Sequence, residues 1–203
     1  LVKNIPISAG LGGGSSDAAT TLRGLNLLWK LGLSVRALMP IAAQLGSDVP
    51  FFLRGGTAMV QGRGERVRSL PKPDLKRFLV VVPKITLPNK TSSMYSRLSS
   101  DSYSSGQLTR KLEARIRGGG DIPPQLFFNV FDNLARDILP GLGDYWDMLF
   151  SLGIREIHLA GSGPALFTPV ASEKQGVALK AMLQSKCGLL IHLVSPWQPL
   201  VEG

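Results

Sequence analysis

The run Pro6-Ile7-Ser8-Ala9-Gly10-Leu11-Gly12-Gly13-Gly14-Ser15-Ser16-Asp17-Ala18-Ala19 constrains this chain more than any other stretch. Its glycines let the backbone pass through positive φ and come close to a ligand, because no Cβ stands in the way. The residues after it favour helix: a helix is expected from about Ser15 to Lys30, with Ala18, Leu22, Leu25 and Trp29 on one buried face. The first N–H groups of a helix have no partner within it, and together with the positive end of the helix dipole they attract an anion. Ser15 and Ser16 add hydroxyls at that point, suited to capping or to touching phosphate and metal. A tight strand-to-helix turn would explain glycines alone. Three consecutive glycines followed by two serines exceed what a turn needs, which favours phosphate. The loop is not a Walker A motif, since no Gly-Lys-Ser/Thr closes it. Nor is it a Rossmann fingerprint, because Leu33-Ser34-Val35-Arg36 stands where the acidic residue would fall.

Two further signals accompany the loop. In Gly46-Ser47-Asp48-Val49-Pro50-Phe51-Phe52-Leu53 a carboxylate sits within an apolar run. Asp48 either caps a short helical turn with Pro50 near its start, or does chemistry; a capping position is also a rigid one, so both can hold. A carboxylate beside a phosphate loop suits removal of a proton from an attacking hydroxyl. The third signal, Leu159-Ala160-Gly161-Ser162-Gly163-Pro164-Ala165-Leu166-Phe167, reads as strand, glycine turn, strand. By itself it is a hairpin turn; beside the first loop it offers a second backbone wall for a ligand.

In this order, and joined by Gly55-Gly56-Thr57-Ala58 and Gly62-Arg63-Gly64-Glu65, these segments resemble the GHMP kinase superfamily. Within it they resemble the kinases of 4-diphosphocytidyl-2-C-methyl-D-erythritol, and the likeness covers nearly the whole chain. It implies an α+β fold of two-domain GHMP kinase architecture. Residues 1–73 would be the end of a ribosomal-S5-domain-2-like N-terminal domain, incomplete here, and residues 74–203 a ferredoxin-like C-terminal domain. It implies ATP and Mg2+ as cofactors and phosphorylation of a hydroxyl on a small cytidine diphosphate-linked methylerythritol, in the non-mevalonate route to isoprenoids. Carried over by position, Pro6, Ile7, Ser8, Ala9, Gly10, Leu11, Gly12, Gly13, Gly14, Ser15 and Ser16 hold ATP, and Ser16 contacts magnesium. Asp48 is the base or orients the hydroxyl, while Thr91, Tyr95, Gly161, Ser162 and Gly163 face the substrate. For Tyr95, stacking on cytosine and packing within its helix stand level. Asp17 stands where many relatives carry Asn; an anion facing phosphate would repel it, so Asp17 is expected to point away. The likeness also implies a segment ahead of Leu1 that holds a catalytic lysine and cytidine contacts, and Lys3 does not match that lysine by motif. Two other readings stay open: a homoserine or mevalonate kinase of the same superfamily, and a nucleotide- or polyanion-binding fragment without full catalysis.

Punctuation gives the rest of the organisation. Leu1 to Ile5 are expected to lie in a strand, and a second helix is expected from Val35 to Leu45, with Val35, Leu38, Met39, Ala42 and Leu45 on one face. A hairpin of Thr57–Val60 and Arg66–Leu70 precedes the linker Pro71-Lys72-Pro73-Asp74. Phe78–Val82 reads as a buried strand, followed by a short helix near Thr91–Leu98 and a serine-rich loop at Ser99–Ser105. Helices are expected at Gln107–Arg117, Leu126–Ile138 and Gly141–Leu152. The end reads strand, glycine turn, strand, helix (Ser172–Gln184), strand (Leu189–Val194), the order of a split α+β sandwich. Asn129 and Asn133 read as a cap or solvated turn in the Leu126–Ile138 segment.

The 203 residues can bury a sizeable core. The net charge of +9 attracts polyanions, with clusters at Arg63, Arg66, Arg68, Lys72, Lys76 and Arg77 and at Arg110, Lys111, Arg115 and Arg117. Aromatic residues, at 7%, do not interleave with these clusters, and no nucleic-acid motif appears, so solvated faces account for them. The single cysteine, Cys187, excludes an internal disulfide framework and is expected as a buried apolar group. His158 and His192 lack acidic neighbours at ligand spacing and read as structural. No apolar run approaches a membrane span. A cytoplasmic location is expected, or a plastid one in a eukaryote.

Overall fold

A computed structural model describes residues 2–75 and 77–197, without the side chain of Cys187. Lys76 and the burial expected of Cys187 therefore lie outside the described residues. Three helices come first: α1 (Gly13–Leu28), α2 (Val35–Leu45) and α3 (Val49–Arg54). The strands β1 (Thr57–Gln61) and β2 (Arg66–Leu70) then form an antiparallel hairpin. Next come β3 (Arg77–Val82), α4 (Lys90–Tyr95), α5 (Gln107–Arg117), α6 (Phe131–Ile138) and α7 (Leu142–Ser151). The order closes with β4 (His158–Leu159), β5 (Leu166–Val170), α8 (Glu173–Cys187) and β6 (Leu190–Val194).

β3 to β6 form one antiparallel sheet in the order β4-β5-β3-β6. Numbered within the sheet, that is 2-3-1-4, the order of the ferredoxin-like split βαβ unit. β3 is central and buried on both faces. Alternation sends Leu79 and Val81 into the large core with Met94, Leu139, Leu149 and Leu183. Val80 and Val82 point the other way and join Ala9 and Ala165 in a separate cluster. That second face is how the sheet carries the glycine-rich loop.

Ahead of the sheet, a smaller core forms where Ala19, Leu38, Ala42, Val49 and Leu53 meet. Ser34 caps α2, its hydroxyl accepting from the Ala37 N–H at 3.2 Å. Leu53 is fully buried, worth about 1.5–3 kcal/mol. The apolar stripes expected on these helices are only partly buried. Trp29, at 62% exposure, is the C-cap of α1, and Leu45 at the end of α2 is 58% exposed.

Several elements differ from the sequence reading. Residues 2–4 carry no regular structure, so the expected strand ahead of the loop is absent there. α1 starts at Gly13, two residues early, because Gly12 adopts φ +67° and turns the chain into the helix itself. The Leu126–Ile138 helix shortens to α6, since Pro123 and Pro124 open a separate 3-10 turn (Pro124–Leu126). The serine-rich loop contains a 3-10 turn (Ser100–Ser102) held by the Ser99 and Ser102 side chains.

Candidate active site

Two glycine turns pack back to back. Gly10, at φ +81°, has no room for a side chain: a Cβ would lie 2.1 Å from the Ala160 carbonyl oxygen and 2.9 Å from the Gly163 N and O. Beside this contact the Ala165 N–H donates to the Ala9 carbonyl at 3.0 Å. At this contact the loop and the β4–β5 turn meet backbone to backbone, which explains glycine on both sides. Gly12 in turn packs under the Phe52 ring, where a Cβ would come within 2.6 Å of it, so α3 clamps the start of α1.

The result is a cavity of about 1170 Å3. Residues 6–15 form one wall. Ser16 N–H makes the first helical bond, to the Gly12 carbonyl at 2.9 Å, so the N–H groups of Gly13, Gly14 and Ser15 have no acceptor within the helix. Asp48, Thr91, Tyr95, Gly161 and Ser162 line the same space. Of the residues expected at a site, Ser16 and Gly163 are not on the wall. Ser16 is the fourth residue of α1, and Ser15 is the hydroxyl on the wall. Gly163 lies buried against Leu159 and Leu139, facing away from the cavity.

Asp48 occupies the N-cap position of α3, but its side chain makes no capping bond and is exposed. Its apolar neighbours do not enclose it, because Val49 and Leu53 turn inward to the small core. The carboxylate is left on the cavity wall. Behind it, Gly64 of the β1–β2 turn fits against the Ser47 backbone, where a Cβ would stand 1.9 Å from the carbonyl oxygen. Tyr95 is 59% exposed and sets its ring edge-on to Phe131 at 5.0 Å, so it both lines the cavity and packs.

Asp17 does not point away as expected. It lines the cavity and forms an ion pair with Lys3, whose ammonium neutralises an anion that would otherwise repel phosphate. Two more residues on the wall were not singled out for the site. Asn129 accepts from the Phe131 N–H at 3.0 Å ahead of α6, and its amide donates to the carbonyls of Leu159 (3.0 Å) and Gly161 (2.7 Å). Asn129 lies one residue ahead of Val130, the N-cap of α6, and anchors the β4–β5 turn; Asn133 is exposed. Lys90 is buried and donates to Ser162 and Gly163. Neighbouring Asp132 accepts from the Leu159 N–H at 3.0 Å, and burial raises its pKa above the ordinary carboxylate value. His158 stacks between Phe127 and Phe167, consistent with a structural role.

The basic clusters lie mainly on solvated faces. Arg68 and Arg117 both pair with Glu113, at 2.6 and 2.7 Å, and Arg115 pairs with Asp121. Among the described residues, no group of three or more acidic, histidine or cysteine side chains could hold a metal ion. None of their helices is long and apolar enough to cross a membrane.

Comparison with known proteins agrees with this geometry. Residues 1–56 match the GHMP kinases N terminal domain. A 4-diphosphocytidyl-2-C-methyl-D-erythritol kinase from Dehalococcoides mccartyi is 42% identical over 201 residues, 98% of this chain and 70% of that protein. The chain belongs to this kinase family. The corresponding kinase from Listeria innocua is 32% identical over 195 residues, 96% of this chain and 66% of its own length. A solved 4-(cytidine 5'-diphospho)-2C-methyl-D-erythritol kinase superimposes with TM-score 0.75 at 28% identity, over 96% of this chain and 69% of that one. The homoserine kinase of Cytophaga hutchinsonii shares the fold alone, with TM-score 0.71 at 18% identity over 97% of this chain and 68% of its own.

Proposed function

We propose that the protein transfers the γ-phosphoryl group of ATP to a hydroxyl of 4-diphosphocytidyl-2-C-methyl-D-erythritol. The observation that carries this reading is the shared cavity. Unpaired amides at the start of α1 stand on one wall, and a free carboxylate, Asp48, lines the same space as Thr91 and Tyr95. In this reading residues 6–15 bind the ATP phosphates through backbone N–H groups and the helix end. Asp48 accepts the proton of the acceptor hydroxyl as its oxygen attacks the γ-phosphorus, and the bond from that phosphorus to the ADP oxygen breaks. Tyr95 offers its ring to the cytosine, and Thr91 and Ser162 offer hydroxyls to the same ligand. The β4–β5 turn backs the nucleotide loop and keeps the two ligands in register.

Magnesium fits this site as a partner of the triphosphate. The Ser15 hydroxyl at the start of α1 would reach the ion, whose other ligands would be phosphate oxygens and water. The ion would offset charge on the phosphates. The same reading assigns residues 1–73 to the nucleotide-holding domain and 74–203 to the C-terminal domain, and makes the protein a cytoplasmic enzyme acting on a free small molecule.

The experiment is a coupled ADP assay with 4-diphosphocytidyl-2-C-methyl-D-erythritol, homoserine and mevalonate offered separately. Turnover with the cytidine compound alone is expected. Preference for homoserine or mevalonate would replace the reading with another kinase, and nucleotide binding without turnover on any of the three would reduce it to a binding protein.

A further inference from the structure

Lys90 is 7% exposed and opens α4. A buried ammonium is costly unless its protons are satisfied, and burial pushes its pKa below the ordinary lysine value. Its partners are all on one turn: the Ser162 carbonyl at 3.2 Å, the Ser162 hydroxyl at 3.1 Å and the Gly163 carbonyl. An ammonium has three donors and no acceptor, so three acceptors exhaust it and leave nothing for a ligand. Thr91, the next residue, brings its hydroxyl within 3.3 Å of the same Ser162 hydroxyl. The opposite side of this turn supports the nucleotide loop, through the Ala165–Ala9 hydrogen bond and the Gly10–Ala160 contact. Lys90 therefore ties the helix that carries Thr91 and Tyr95 to the turn on which residues 9 and 10 rest.

We propose that Lys90 is a positioning residue that sets the spacing between α4 and the nucleotide loop, acting through the Gly161–Gly163 turn and touching neither ligand. The inference rests on the kinase reading above and extends it to a residue with no reactive part. Transfer between two bound ligands needs both held within a fraction of an ångström, whereas each ligand keeps its own wall when the walls shift apart. The signature is a loss in kcat with binding retained.

Lys90→Met removes the ammonium and keeps the bulk of the stem. Lys90→Gln retains an amide donor and serves if the first variant does not fold. Steady-state kinetics with ATP and 4-diphosphocytidyl-2-C-methyl-D-erythritol, and calorimetric Kd values for each ligand, are compared with the unmodified chain. The expected result is a fall in kcat of about 10- to 100-fold with each Kd within about twofold. A folded variant that keeps kcat overturns the proposal, and so does a loss confined to the Kd of one ligand, which would make Lys90 a direct contact. Amide hydrogen exchange over residues 160–165 reads the same turn without turnover, and faster exchange there with α8 unchanged is expected. Absence of turnover in the unmodified chain would count against the kinase reading; unchanged exchange in the variants would overturn the role of Lys90 whatever the reaction.

Discussion

Gly14 separates folding from binding in a way that one substitution can measure. It is the second residue of α1, lies on the cavity wall and has no positive φ. A Cβ built there meets no atom within 4 Å, so the folded protein accepts Gly14→Ala without displacement. Alanine also restricts the unfolded chain, which favours the fold by about 0.5–1 kcal/mol. For a chain of this size that raises Tm by about 1–4 °C. The nucleotide meets the opposite consequence. The added methyl stands beside an amide that has no acceptor within the helix, in space that a phosphate oxygen needs in order to reach it. Loss of one charge-assisted hydrogen bond costs about 1.5–3 kcal/mol, about ten- to a hundredfold in Kd for ATP. Thermal unfolding and calorimetry on one preparation read both numbers. Gly10→Ala is the contrast. At φ +81°, with backbone oxygen 2.1 Å away, it strains the loop and separates the buried Ala9–Ala165 pair, for a loss of about 2–5 kcal/mol in stability as well as weaker binding. A Gly14→Ala protein that melts higher and binds ATP as tightly as before would refute the phosphate cradle at the start of α1.

Three other outcomes follow from the same geometry. Asp48→Asn should lower kcat by about a hundredfold or more while the Kd for ATP stays near wild type, since the carboxylate makes no bond that holds α3; equal losses in both would count against a role in proton transfer. Lys3→Met should weaken ATP binding about tenfold at low salt, by leaving Asp17 uncompensated on the cavity wall, and Asp17→Asn should strengthen it about threefold, both effects shrinking in concentrated salt; salt-independent changes would point to packing instead. Burial, opposed by Asp132 and Glu156, lowers the pKa of His158 below its ordinary value of 6.5. The unfolded chain therefore binds the extra proton first, and stability is lost as pH falls from 6.5 through the folded value. Urea unfolding between neutral and mildly acidic pH should show that slope in wild type and a shallower one in His158→Gln, whereas parallel slopes would assign it to other groups.

How far the sequence could be read depended on where each residue finds its partners. Gly10, Gly12 and Gly161 were legible because a backbone at positive φ declares itself in residue type, whatever it later packs against. The strand–turn–strand at β4 and β5 and the alternation in β3 were local patterns for the same reason. Asp48 was legible as a site residue but its surroundings were not. Asp48 sits within an apolar run, and only the turning of Val49 and Leu53 toward α1 and α2 shows that the carboxylate is left outside. Asp17 was assigned the wrong direction because its charge was weighed against phosphate alone; the cation that lets it face the cavity lies 14 residues earlier, on a segment without regular structure. Lys90 gave no signal at all. In Asn89-Lys90-Thr91 it looks like a solvated lysine, and what buries it is a turn 72 and 73 residues away whose two carbonyls and one hydroxyl accept its protons. A charge whose partner is distant in sequence cannot be placed from its neighbours, and in this protein Asp17 and Lys90 are such charges on the walls that face the ligands.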